Sequence, residues 1–166
     1  MSLTIHFEGT LRSKEDLDIV IKRAREFAMK NAMDVNNDSS IRHSFQQSEG
    51  VYTLQEVAVP LKGISFRMHQ YCEPFRFRFT DKLFIQEFWK TQFTDLSTHI
   101  AIVGFLHEIE PHFSMFKVCD DGRYWDTNNV RLLESRFEEF FSAFDALFEA
   151  FSEEEPEDDY HIDIPV

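Results

Sequence analysis

A chain of 166 residues, 19 of them phenylalanine, is long enough to bury an unusually aromatic core without disulfide or metal staples. Its 30 acidic against 17 basic side chains leave a formal charge of −13, which repels phosphate backbones and argues against a nucleic-acid partner. Cys72 and Cys119 are too few for a disulfide framework, and no apolar run approaches the ~20 residues of a membrane span, so a reducing, cytoplasmic setting with no membrane partner is expected.

Taken in order, Leu3 to Leu11 alternates Ile5 and Phe7 with Thr4, His6 and Glu8, which predicts a strand closed by Gly9. Ser13 and Asp16 have capping-box spacing. Leu17, Val20, Ile21, Ala24, Phe27 and Ala28 then share one helical face, and the helix should end near Asn31 or Met33. The Asn- and Asp-rich stretch Asp34 to Ser40 reads as a loop. Val51 to Val59 reads as a strand, Pro60 and Gly63 as punctuation, and Ile64 to His69 as a further strand leading into a Cys-Glu-Pro corner. Phe75, Phe77 and Phe79 alternate with Arg76 and Arg78, so they line one face of a half-buried strand. Leu83 to Phe93 has apolar residues at both parities, the pattern of a strand buried on both faces.

Thr94, Asp95 and Ser97 offer caps for a second helix that Pro111 must stop. Met115 to Val118 predicts a short strand, and Asp120-Asp121-Gly122 a turn. Arg123 to Trp125 reads as the far arm of a hairpin or an irregular strand. A last helix, capped within Asp126 to Asn129, carries a stripe of Leu133, Phe137, Phe140, Phe141, Phe144, Leu147, Phe148 and Phe151 that is expected to be core. An acidic tail follows from Ser152, and its Tyr160, Ile162 and Ile164 alternate like a strand. Docking of that strand is predicted either on the chain's own sheet or across a two-fold interface, the second making a homodimer.

This order of elements predicts an α+β fold with a mainly antiparallel sheet and helices packed on one side. The nearest idealised arrangement is a ferredoxin-like core plus an added C-terminal helix, with residues 1–151 forming one domain.

Chemistry-bearing residues gather where strands end. His69, Cys72 and Glu73, then Lys90, Thr91 and Gln92, then His99, then Asp121 and Tyr124 form a candidate polar site, in which Cys72 or a His/Glu pair could serve acyl transfer or hydrolysis. The plainer reading makes Cys72 a buried small hydrophobe, Glu73 and Lys90 an ion pair, and His99 a satisfied core histidine. His107 and His112 lie five apart with Pro111 between them, which excludes the zinc-protease helix. A zinc site of His69, Cys72 and Cys119 with a fourth donor such as His99 has the right ligand types, but nothing in the sequence fixes Cys119 nearby, so no metal is expected. With five glycines and no phosphate loop or nucleophile elbow, no cofactor is expected either.

Gly63, His69-x-x-Cys-Glu-Pro, Lys-Thr-Gln-Phe at 90–93 and Asp-Asp-Gly-x-Tyr-Trp at 120–125 together resemble a group of small soluble bacterial proteins of unassigned activity. That resemblance implies a small cytosolic α+β domain and says nothing about chemistry. The acidic balance and the lack of a complete catalytic signature favour a non-enzymatic protein-interaction or regulatory domain, a toxin-neutralising role being one version. A small hydrolase or acyl-transfer enzyme is the alternative.

Overall fold

A computed structural model describes residues 2–47, 54–68, 70 and 72–152. Two three-stranded antiparallel sheets are present. One has β1 (Thr4–Leu11) between β5 (Phe84–Lys90) and β6 (Phe113–Asp120); the other has β3 (Leu54–Arg67) between β2 (Asp34–Gln47) and β4 (Phe75–Phe79). Because β5 and β6 both run antiparallel to β1, they are parallel to each other. The crossover that joins them is α2 (Leu96–Ile109), and α1 (Lys14–Lys30) joins β1 to β2. The α+β class, the antiparallel pairing and the helices beside the sheets follow the expectation. Of a ferredoxin-like core, the strands supply this split β-α-β unit around β1, while β2 to β4 form a sheet of their own.

Local sequence explains most boundaries. Ser13 caps α1 by accepting from the Asp16 N–H at 3.1 Å, and Asn31 closes it; Asp95 caps α2 by accepting from the Thr98 N–H at 2.7 Å. Pro111 sits in the 3₁₀ turn Glu110–His112 that ends α2.

Several expectations are corrected. Asp34 to Ser40 is not a loop but the first half of β2, paired residue for residue with β3 from Asp34 opposite Arg67 to Ser40 opposite Leu61. Two of its polar side chains are held from neighbouring elements, Arg25 donating to Asn37 at 2.6 Å and Arg78 to Ser40 at 2.7 Å, and the ladder outweighs the local turn chemistry. Pro60 and Gly63 do not punctuate; both lie within β3. Pro60 stands outside the stretch that pairs with β4, which covers only Lys62 to Phe66.

Strand β5 is not buried on both faces: Ile85, Glu87 and Trp89 point inward, whereas Gln86 and Phe88 face solvent, Phe88 with 51% exposure. Arg123 to Trp125 is no hairpin arm, because the Asp120 carboxylate accepts the N–H groups of Tyr124 and Trp125 and winds the chain into α3 (Tyr124–Thr127). The strand expected from Val51 begins, among the described residues, at Leu54. Tyr160, Ile162 and Ile164 lie outside the described residues.

The main core lies between the two sheets and is centred on Trp89. Its indole packs against Phe7, Phe66, Phe75, Phe77 and Phe105, with ring centroids from 4.8 to 6.3 Å apart. Its Nε1–H donates to the Arg76 carbonyl at 2.7 Å, which satisfies the one polar atom that burial would otherwise strand. A second, smaller cluster of Leu3, Leu133, Phe137 and Phe140 seats α4 (Val130–Ser152). Only this first half of the α4 stripe is core. Phe141, Phe144, Leu147, Phe148 and Phe151 are 45% to 70% exposed, which corrects the expectation that the whole stripe is buried.

Gly63 shows how closely the strands pack, since a Cβ there would come within 2.0 Å of the Phe77 carbonyl oxygen and 2.9 Å of the Arg78 Cα. Backbone cannot swing aside as a side chain can. Gly63→Ala is expected to force β3 and β4 apart and cost ~1–3 kcal/mol in urea unfolding; a loss below ~0.5 kcal/mol would show that the two strands tolerate a wider spacing.

Candidate functional site

The end of the β5-β1-β6 sheet holds a buried polar knot. Thr91 follows β5 and is fully buried, as is His99 in the first turn of α2; Asp120 closes β6 and is 4% exposed. The Thr91 hydroxyl lies 2.8 Å from His99 Nδ1, and His99 Nε2 lies 3.2 Å from the Asp120 carboxylate. That carboxylate also accepts backbone N–H groups from Gly122 at 2.8 Å, Tyr124 at 2.8 Å and Trp125 at 3.0 Å. Burial alone would raise the Asp120 carboxyl, but the hydrogen bond and electrostatic pull of His99, with the Trp125 and Gly122 N–H groups, outweigh it and hold the group below the usual carboxylate range. Gly122 has no room for a side chain: a Cβ would sit 2.6 Å from Leu133 and 3.0 Å from the His99 ring.

The chain's first residues are stitched to the same place. Thr91 donates its N–H and its hydroxyl to the Leu3 carbonyl, at 2.8 and 3.1 Å, and the Leu3 N–H donates to the Gln92 side chain at 3.0 Å. Asp121 accepts from the Thr4 N–H and from the Ser2 hydroxyl, both at 3.1 Å. Gln92, His99, Asp121 and Tyr124 are thus brought together, through Thr91 and Asp120. Thr91 stands in the Lys90-Thr91-Gln92 run that the sequence already singles out, whereas Asp120 is not among the candidate residues; the repeated Asp before Gly122 is the available signal for it. The hydroxyl–imidazole–carboxylate order resembles a hydrolytic triad, yet the hydroxyl is sealed from solvent and engaged with a main-chain carbonyl. What the arrangement supplies is cohesion between β1, β5, α2, β6 and α3.

The remaining candidates stand beside it. Lys90 Nζ pairs with Glu73 at 2.9 Å, a partly exposed contact of small energetic weight. Cys72 is 7% exposed, its thiol donates to the Phe93 carbonyl at 3.8 Å, and burial pushes the thiol pKa up, the reverse of what a nucleophile needs. His69 lies outside the described residues. Among the described residues no three His, Cys, Asp or Glu side chains form a group that could hold a metal ion, and no helix is long and apolar enough to cross a membrane.

Open surface occurs elsewhere. The solvent face of the β5-β1-β6 sheet forms a cleft of about 590 Å³ where Phe88, His6 and Cys119 lie in one cross-strand row and Gln86, Glu8 and Lys117 in the next. Glu87 beneath it is held by Arg78 at 2.7 Å and Arg42 at 3.6 Å. Its charges pair within the cleft: Lys117 lies 3.9 Å from Glu8, and Gln86 donates to Glu8 at 3.2 Å. A second cleft, of about 430 Å³, runs along α4 between Leu96, Phe137 and Phe141, with Glu134, Glu138 and Asp145 at its rim. It opens directly onto the exposed phenylalanines of α4. Compared with models of known protein families, with curated proteins and with solved structures, the chain matches none.

Two measurements probe this end of the sheet. Asp120 contributes stability that is fully present above the ordinary aspartate pKa of ~3.9 and is lost as pH falls through its lower folded value. Asp16, through its bond with His112, and Asp95, through its bond with Ser97, act in the same window. Unfolding free energy should therefore fall below about pH 4. Asp120→Asn should flatten that fall and cost ~1–3 kcal/mol at neutral pH, because an amide oxygen cannot serve all the donors now converging on the carboxylate. An unchanged pH slope in the variant would remove Asp120 from this role. Iodoacetamide near neutral pH should label exposed Cys119 well before Cys72, as read by peptide mass spectrometry; the opposite order would restore Cys72 as a nucleophile candidate.

Proposed function

We propose that the protein is a non-enzymatic protein-interaction or regulatory domain that meets another polypeptide through the C-terminal half of α4. One observation carries the reading: Phe141, Phe144, Leu147, Phe148 and Phe151 continue, at 45% to 70% exposure, the same stripe that Leu133, Phe137 and Phe140 bury against the body. A contiguous exposed apolar surface of this kind marks interaction sites, and aromatic anchors supply most of the binding energy at such surfaces. An apolar helix face is also one of the recurring ways in which proteins bind peptides and each other. The sealed Thr91–His99–Asp120 knot and the buried Cys72 give the hydrolase reading no comparable support.

The test is a comparison of baits in native lysate at moderate salt, wild type against Phe144→Glu/Phe148→Glu. Both rings are already solvent-facing, so the double variant should unfold within ~1 kcal/mol of wild type. Wild type should retain a stoichiometric polypeptide, an untagged copy of the chain included, that the variant loses. A partner held equally by both baits, or none held by wild type, ends the reading.

A further inference from the structure

We infer that the occupant of the exposed α4 surface is the same surface of a second copy, packed antiparallel across a two-fold axis; this rests on the reading of α4 as the contact surface. Leu133, Phe137, Phe140, Phe144, Leu147 and Phe151 recur at alternating intervals of four and three, which is the a/d seam of a heptad and not merely a helical stripe. The first three of these knobs are spent inside the chain. Phe144, Leu147 and Phe151 continue the seam beyond the body with 48%, 55% and 70% exposure.

The residues that flank the seam match themselves. On one side, directly after Phe140 and Leu147, stand Phe141 and Phe148; on the other, directly before Phe144 and Phe151, stand Ala143 and Ala150. In an antiparallel pair each flank meets the same flank of its partner, so alanine faces alanine, where the helices can approach closely, and ring faces ring. The acids of this half, Asp145 and Glu149, occupy neither the seam positions nor the two flanking positions, so the paired positions themselves bring no like charges into opposition. A strongly basic partner would find no acid on the contacting seam itself. An antiparallel crossing of the two C-terminal halves also leaves the acidic bodies on opposite flanks, and a two-fold contact needs this kind of self-complementary patch.

Sedimentation velocity on the purified full chain, over a range of concentration and salt, tests the inference. A concentration-dependent dimer should form and tighten as salt rises, because screening relieves the repulsion between two bodies of charge −13 while apolar burial is retained. Ala143→Glu, at an exposed position, should leave the circular dichroism and thermal midpoint unchanged while weakening dimerisation by about a hundredfold or more, since it sets two carboxylates against the apolar seam. Phe144→Glu should do the same. A monomer at every concentration and salt overturns the inference, as does a dimer that both variants leave intact or one that loosens as salt rises. A monomer in this experiment, together with a lysate partner lost by Phe144→Glu/Phe148→Glu, would overturn self-pairing and leave the broader reading standing.

Discussion

The fold depends on one side chain that belongs to both sheets. Trp89 extends from β5, an edge strand of the first sheet, and its indole lies against Phe66 of β3 and Phe75 and Phe77 of β4 in the second. Its N–H ends on the Arg76 carbonyl of β4. Dispersion and area burial would be satisfied by many ring orientations; the hydrogen bond selects one, because an indole N–H left unpaired in that core would cost on the order of 1–3 kcal/mol. With the ring fixed, Phe7 packs edge-on, Phe77 tilted and Phe105 stacked around it, and α1 joins through Phe27 stacked on Phe105 at 4.8 Å. The abundance of phenylalanine thus has a structural use: flat rings fill the wedge between two sheets that do not share a hydrogen-bonded edge.

The polar knot at Thr91, His99 and Asp120 solves a different problem. Where β5 and β6 end, the chain must enter α2 and α3, and each helix start brings N–H groups with no intrahelical partner. Asp120 takes three of the donors around α3, and His99 ties that carboxylate to Thr91 and, through it, to the chain's first residues. Burying a carboxylate is costly unless it is fully hydrogen-bonded, and here it is. A group of polar residues that looks catalytic in the sequence is therefore consumed by the architecture, which shifts attention to side chains that remain exposed.

Legibility in the sequence followed the range of the interactions involved. Periodic elements with their own caps were readable: α1 from Ser13 and Asp16, α2 from Asp95 and Pro111, β1 and β4 from strict alternation. Elements set by distant partners were not. The Asn- and Asp-rich start of β2 is a strand because β3 pairs along its whole length and arginines from α1 and β4 hold Asn37 and Ser40. Tyr124 and Trp125 became helical because the Asp120 carboxylate, two residues before Gly122, captured their N–H groups. For the candidate site, the types were legible and the roles were not. Gln92, His99, Asp121 and Tyr124 do meet, but His99 alone of the four is buried, and the Leu3 backbone that Gln92 and Thr91 hold is one that no local pattern places beside them.

The α4 stripe marks the limit of reasoning from periodicity. A 3.6-residue repeat states which residues share a face and is silent on how far along the helix a neighbour extends. At 23 residues, α4 is ~34 Å long at 1.5 Å per residue, and the body covers only its first half. An unbroken apolar face on a half-covered helix is poorly suited to a chain that must remain monomeric, since aromatic area in water costs free energy in proportion to its extent. The charge of −13 opposes indiscriminate association of these faces, because any two copies repel before they touch. Contact is favoured only where geometry buries enough ring area to exceed that repulsion, and the seam from Phe144 to Phe151, with no acid at its seam or flanking positions, is the part of the described surface arranged to do so.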